Sequence, residues 1–375
     1  MSGGSPPGPR SPGEDPGGPS SVTVFGDGSG LELDAGGWLP DVTVAFETWG
    51  RLDADRGNGV LVLHAITGDS HASANPGHGQ PGAGWWEGMI GPGAPIDTDR
   101  YFVVCPNVLG GCRGTTGPAS PAPDGTPYGS RFPLVTIRDQ VAVETALADH
   151  LGIDRWAGVV GGSMGGMRVL EWCVGRPDRV DRAVVLAVGA MATAGQIALC
   201  SLQIRAIRSD PAFAGGDYYG TGARPDTGLS LARGIGQYTY RTDLEFEGRF
   251  GRSAQAEEDP SKGGRFAVES YIEYHGDKLT RRFDPNSYIV LSEAMNLHDV
   301  GRDRNGVARA LAGVRAEVTV AGIDSDRLYP LGLQYQLGRL LPGDRPVSVI
   351  ESVSGHDGFL LELEQVGAVV ASALA

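Results

Sequence analysis

The amino-acid sequence predicts an α/β fold, a mostly parallel sheet flanked by helices and interrupted late by a helical insertion. Three observations carry this reading. The runs Val60-Leu61-Val62-Leu63-His64 and Tyr101-Phe102-Val103-Val104-Cys105 are apolar almost without a break, as in central strands covered on both faces. Such runs alternate with segments of helical spacing, the pattern of strands joined by crossover helices. From about residue 189 to 315 the β signal fades into helical and aromatic text broken by glycine, as at Ala214-Gly215-Gly216.

In chain order, residues 1–21 are Pro, Gly and Ser with almost no apolar side chain, so a disordered tail is expected there. The first part of the core is expected over 22–188. Its residues 42–48 alternate like a strand, and 137–150 read as a helix with Ile137, Val141, Ala148 and Leu151 on one side. A strand at 156–160 runs into a helix that begins at Met164 and stops near Arg176-Pro177, and a further strand covers 183–188. The helical insertion spans 189–315. Strands at 317–321 and 347–350, then a helix from Phe359, complete the core over 316–375. No internal repeat is visible.

The 375 residues suit one large domain with an insertion. A hydrophobic content of 41% is enough for a real core and excludes global disorder. The chain has 31 Lys+Arg against 45 Asp+Glu, a net charge of −14 that phosphate surfaces would repel. Neither a nucleic acid nor a membrane is therefore expected as partner. No run approaches the roughly 18 apolar residues of a membrane span, and the N-terminus lacks the basic and apolar segments of a signal peptide. Four cysteines without a C-x-x-C pair support neither a disulfide framework nor a metal site. The expected setting is the cytoplasm.

The chemistry starts at Gly161-Gly162-Ser163-Met164-Gly165, a G-x-S-x-G pattern. Glycine-rich chains produce this pattern by chance, and a solvent-facing serine in a plain turn is the bland alternative. Here a strand leads into it and a helix leads out, the context of a nucleophile elbow. That context puts the Met164 N–H at a helix N-terminus, facing charge that develops beside the serine oxygen. A serine nucleophile needs a base, and the base needs an orienting acid. On sheets of this type the three follow in the order Ser, Asp or Glu, His. Of seven histidines only His356, in Ser354-Gly355-His356-Asp357-Gly358, follows the last strand. The acid should follow the strand at 317–321, where Asp324 and Asp326 both stand. Asp326 is preferred because Leu328-Tyr329-Pro330 would anchor it against the core. The second oxyanion donor should lie in His64-Ala65-Ile66-Thr67-Gly68, with the Ile66 N–H as the candidate and His64 as a structural residue.

Several further motifs, in order, resemble the homoserine O-acyltransferase branch of the α/β-hydrolase superfamily over nearly the whole chain after the tail. They are Ala65-Ile66-Thr67-Gly68-Asp69-Ser70-His71, Asn107-Val108-Leu109-Gly110-Gly111-Cys112 with Gly114-Thr115-Thr116-Gly117-Pro118, and the elbow with Leu170-Glu171-Trp172. Arg281-Arg282-Phe283-Asp284-Pro285-Asn286-Ser287-Tyr288 and Gly355-His356-Asp357-Gly358-Phe359-Leu360 follow. The resemblance implies an α/β-hydrolase fold with a helical lid and a catalytic triad of Ser163, Asp326 and His356. It further implies acyl transfer from acetyl-CoA to the hydroxyl of L-homoserine through an acyl-serine, the first committed step towards methionine. Acetyl-CoA would be a co-substrate, with no tightly bound cofactor. Arg233 matches the family's residue for the acceptor carboxylate, Asp357 the residue for its ammonium, and Tyr240 another pocket position. A homodimer is the family's expected assembly. The chain departs from the family pattern at Arg113 and Arg168, the latter one turn from the elbow. Alternatives are a succinyl donor, serine as acceptor, a serine hydrolase, or a non-catalytic binding protein of the same fold.

Overall fold

The computed structural model describes residues 18–26, 28–75 and 82–375. Eight strands form one sheet: β1 (Gly18–Val24), β2 (Val42–Trp49), β3 (Gly59–Leu63), β4 (Phe102–Pro106), β5 (Trp156–Gly162), β6 (Val180–Leu186), β7 (Glu317–Ile323) and β8 (Val347–Ile350). Their spatial order is β1-β2-β4-β3-β5-β6-β7-β8. The first two pairings, β1 with β2 and β2 with β4, are antiparallel; all the others are parallel.

The continuous apolar runs have the cause that the sequence suggests. In β3 the side chains of Leu61 and Leu63 enter one core cluster and those of Val60 and Val62 the other. The first cluster lies under helices α1 (Ile137–Leu151) and α2 (Met164–Gly175). The second is closed by the C-terminal helix at Leu363–Leu374 through Val366, Val370 and Leu374. Helix α1 is entered through a capping box in which Thr136 and Asp139 exchange hydrogen bonds, satisfying N–H groups that a helix start leaves open.

Between β6 and β7 the chain runs through α3 (Ala194–Arg208), α4 (Asp226–Tyr240), α5 (Asp243–Arg249), α6 (Ala267–Thr280), α7 (Pro285–Asn296) and the short α8 (Val307–Ala312). Helix α4 packs against α3 and α6, and α3 also packs against α7. Helix α9 (Leu331–Leu340) then links β7 to β8. Among the described residues no helix is long and apolar enough to cross a membrane.

Two expectations need correction. The tail expected over 1–21 overlaps β1, where Gly18 to Ser21 pair with Thr48 to Ala45 of β2. Backbone hydrogen bonds to an open sheet edge need no apolar side chain, and Pro19 is tolerated on an edge strand; residues 1–17 lie outside the described residues. The strand expected at 183–188 is Val180–Leu186 instead. It stops early because Ala187 turns to φ 49°, out of the extended region.

Because β3, β5, β6, β7 and β8 are parallel, the segments that follow β3, β5, β7 and β8 all emerge at one edge of the sheet. Helix α2 is pressed onto β3 at that edge. A Cβ added at Gly165 would lie 2.0 Å from the Leu63 carbonyl oxygen and 3.2 Å from that of His64, both backbone atoms that cannot swing aside. Gly165→Ala should therefore lower unfolding free energy by about 1–3 kcal/mol, the usual overpacking cost. Gly332→Ala, on α9 with nothing within 4 Å of the added carbon, should be neutral or stabilising by roughly 0.5–1 kcal/mol. Urea titration of both variants checks this; an unchanged midpoint for Gly165→Ala would refute the close approach.

Candidate active site

Ser163 occupies the turn from β5 to α2 with φ 55° and ψ −125°, a conformation rarely adopted by a residue with a side chain. Only small residues fit beside it: the added Cβ at Gly161 would meet the Gly165 carbonyl carbon at 2.7 Å. The residue is 6% exposed and lines a cavity of about 180 Å³. As the first residue of α2, Met164 has an N–H without an intrahelical acceptor. Neither it nor the N–H of Ile66 donates to a backbone carbonyl among the described residues.

His356 lines the same cavity, on the turn that follows β8. Its Nδ1–H donates to Asp326 Oδ2 at 2.7 Å, leaving Nε2 with a lone pair and, among the described residues, no partner. Asp326 is held in turn by the N–H groups of Leu328 (2.8 Å) and Tyr329 (2.9 Å), which donate to Oδ1. Asp324 is exposed and accepts from the Ser352 N–H at 3.0 Å. Of the two aspartates, Asp326 is the one that meets the histidine. The imidazole is walled by Tyr329 at 5.0 Å, stacked, by the edge of Phe359 at 5.5 Å and by Tyr240 at 5.9 Å between ring centres. Burial disfavours its cation, but the charge and hydrogen bond of Asp326 more than offset this, with Asp357 adding to them. The net shift is upward from the ordinary histidine value.

The loop after β3 also lines the cavity, with Ile66 and Thr67. His64, at its start, donates from Nδ1 to the Ala65 carbonyl at 2.8 Å and accepts from the Val108 N–H on Nε2 at 3.1 Å. Burial, with Arg168 nearby, drives its pKa down to about 3. The pattern requires a neutral ring, so His64 ties the loop down and has no free basic nitrogen.

Arg233, Tyr240 and Asp357 also line the cavity. The Arg233 guanidinium lies 5.2 Å from the centre of the Tyr240 ring and donates to Gln237 Oε1 at 2.9 Å. Among the described residues no carboxylate is within ion-pair distance of it. Asp357 is paired with Arg241 at 3.1 Å, and its side chain makes no capping bond to the helix it precedes. Burial raises its pKa against the pull of Arg241, Arg233 and His356. A residue given no role from the sequence joins them: Arg282 donates to the Thr67 carbonyl at 2.7 Å and lines the cavity. Burial lowers its pKa. Its one sequence signal is the Arg281-Arg282 pair, which does not say which arginine turns inward. Among the described residues no group of three or more His, Cys, Asp or Glu could hold a metal ion.

These two histidines should separate cleanly by nitrogen-15 NMR. His356 should titrate above 6.5 and move downward in Asp326→Asn, because the anion that favours its cation is gone. His64 should keep its Nδ1-protonated neutral form down to about pH 4. A His64 titration near 6.5 would contradict the loop geometry.

The family profile described as alpha/beta hydrolase fold matches residues 59–363. Homoserine O-acetyltransferase of Thermobifida fusca (strain YX) is 58% identical over 346 residues, 92% of this chain and 91% of that one. Homoserine O-acetyltransferase of Mycolicibacterium smegmatis is 56% identical over 340 residues, 91% of this chain and 90% of that one. The crystal structure of homoserine O-acetyltransferase from Bacillus anthracis superposes with a TM-score of 0.88 at 27% identity, covering 95% of this chain and 97% of that one. With more than half of the residues identical across nine-tenths of both chains, this chain belongs to the homoserine O-acetyltransferase family of α/β-hydrolase-fold proteins.

Proposed function

We propose that this protein transfers the acetyl group of acetyl-CoA to the side-chain hydroxyl of L-homoserine, towards methionine, by way of an acetyl-Ser163. The observation that carries the mechanism is the joining of a strained Ser163 turn and an Asp326-oriented His356 in one cavity. His356 Nε2 takes the Ser163 proton as Oγ adds to the thioester carbonyl. The oxyanion accepts from the N–H groups of Ile66 and Met164, each such donor typically lowering the barrier by about 3 kcal/mol. Collapse breaks the C–S bond, and His356 returns the proton to the departing CoA thiolate. In the second half His356 takes the homoserine hydroxyl proton, that oxygen attacks the acetyl carbon, and Ser163 leaves with the proton. The reaction needs no tightly bound cofactor.

Arg233 serves the acceptor carboxylate in this scheme and Asp357 its ammonium, with Tyr240 as a further pocket residue beside Arg233. Arg233 faces the cavity with no carboxylate within ion-pair distance among the described residues, which supports its part; Asp357 lines the same cavity and is shared with Arg241. The insertion over 189–315 acts as a lid that keeps water from the acyl-serine. Its exposed Leu231, Tyr238 and Leu244 support association into a homodimer. The reaction is assigned to the cytoplasm.

Two measurements test the scheme. Asp326→Asn should cut turnover by about 10⁴, because the histidine tautomer is no longer controlled, whereas Asp324→Asn should stay within a few-fold of wild type. Single-turnover kinetics should show Arg233→Ala loading acetyl at nearly the wild-type rate. Its homoserine-dependent deacylation should be slower by about 30-fold to several thousand-fold, a loss of about 2–5 kcal/mol. Slowed loading with intact deacylation would overturn the acceptor assignment. Wild-type acetyl-enzyme that decays equally fast without homoserine would make the protein a hydrolase.

A further inference from the structure

The two oxyanion donors belong to elements far apart in the chain, Ile66 in the loop after β3 and Met164 on α2. Something must hold their separation, because an oxyanion donor acts only when placed to within a few tenths of an ångström of its target. Arg168 stands on α2 one turn beyond Met164 and is completely buried. Its Nη2 donates to the carbonyl oxygen of His64 at 2.5 Å, two residues before Ile66. Its Nη1 donates to Glu144 Oε1 at 2.7 Å, on α1. Glu144 is itself almost fully buried, and its other oxygen accepts from Trp172 Nε1 at 2.8 Å.

This arrangement is costly by the ordinary rules of stability. A buried ion pair commonly stabilises a fold less than well-packed apolar residues of the same volume. The Arg168 Nε–H is moreover buried with no partner among the described residues, so the guanidinium is not placed to satisfy all of its own donors. What it does satisfy is a strut, from the α2 backbone through the fork to the His64 carbonyl, with Glu144 and Trp172 fixing its direction. The His64 ring, bonded at both nitrogens, leaves that end of the strut no freedom to turn.

We propose that Arg168, oriented by Glu144, is a positioning residue that sets the distance between the Ile66 and Met164 N–H groups; this rests on the oxyanion assignment made above. Both tetrahedral intermediates use the same pair of donors. Loss of the strut should therefore slow both half-reactions by one factor and leave the two substrates' binding alone. Deleting a donor outright costs about 10²–10³ in rate, so displacing one should cost about 10- to 100-fold.

The test uses two variants. Arg168→Met with Glu144→Gln removes both charges at nearly constant volume, so no buried carboxylate is left unpaired. Arg168→Lys keeps a cation for Glu144 but has one nitrogen and cannot span both partners. Acetyl loading and homoserine-dependent deacylation are followed separately in single turnovers, with KM for each substrate and thermal melting alongside. Support is a folded variant in which both half-reactions fall about 10- to 100-fold together while each KM stays within about twofold. A purely structural pair would move the melting temperature alone. Folded variants with wild-type rates, or with one half-reaction slowed and the other not, overturn the proposal, and so does failure of both variants to fold. If the wild type itself formed no acetyl-Ser163, the oxyanion assignment would fail and the strut with it, a result distinct from the others.

Discussion

Ser163 is held in a backbone conformation that costs about 1–3 kcal/mol for a residue with a side chain, and the surrounding structure is arranged to keep it there. Its N–H donates to the Leu186 carbonyl of β6, and its own carbonyl accepts from the Met167 N–H of α2 at 3.0 Å. On the other side, Gly165 lets α2 lie against the end of β3 at a distance no side chain would permit. The turn thus needs β3, β5, β6 and α2 together. That requirement brings Ser163, at the helix N-terminus, and the loop after β3 to one cavity. Strain at one residue, stabilised by four elements, is what makes the edge of the sheet a site.

Charge organises the rest of the cavity. Asp326 is almost fully buried, and three donors converge on it: two backbone N–H groups on one oxygen and His356 on the other. A carboxylate held this way has one direction in which to act, through the imidazole. Two guanidinium groups, Arg233 and Arg282, line the same cavity, neither paired with a carboxylate among the described residues. Partly buried cations without a partner carboxylate favour an anionic group entering the cavity. The Asp357–Arg241–Glu245 cluster is partnered internally, Arg241 pairing with both carboxylates.

The parallel core was legible because strands buried on both faces leave unbroken apolar runs, and β3 and β4 show such runs plainly. The elbow was legible because Gly161, Ser163 and Gly165 are demanded by a single turn. Asp326 and His356 could be ordered along the chain from the strands they follow, and the choice against Asp324 agrees with the contact to His356 Nδ1. What the sequence concealed depends on contacts between distant segments. The first four residues of the strand Gly18–Val24 read as a tail because their pairing rests on the open edge of β2 and not on their own side chains. Helix α9 is inconspicuous because Gly332 and Gly338 weaken its propensity. Arg282 and Arg168 carry no local mark of their contacts; one reaches the Thr67 carbonyl and the other the His64 carbonyl only after the sheet has assembled.

The central claim is that Ser163 itself carries the acetyl group between donor and acceptor. Intact-mass spectrometry with acetyl-CoA and no acceptor, followed by peptide mapping, tests it most directly. The wild type should gain one acetyl group, on the peptide containing Ser163, and lose it on addition of L-homoserine, while Ser163→Ala should gain none. Acetylation that persists in Ser163→Ala, or that maps to another residue, would contradict the account.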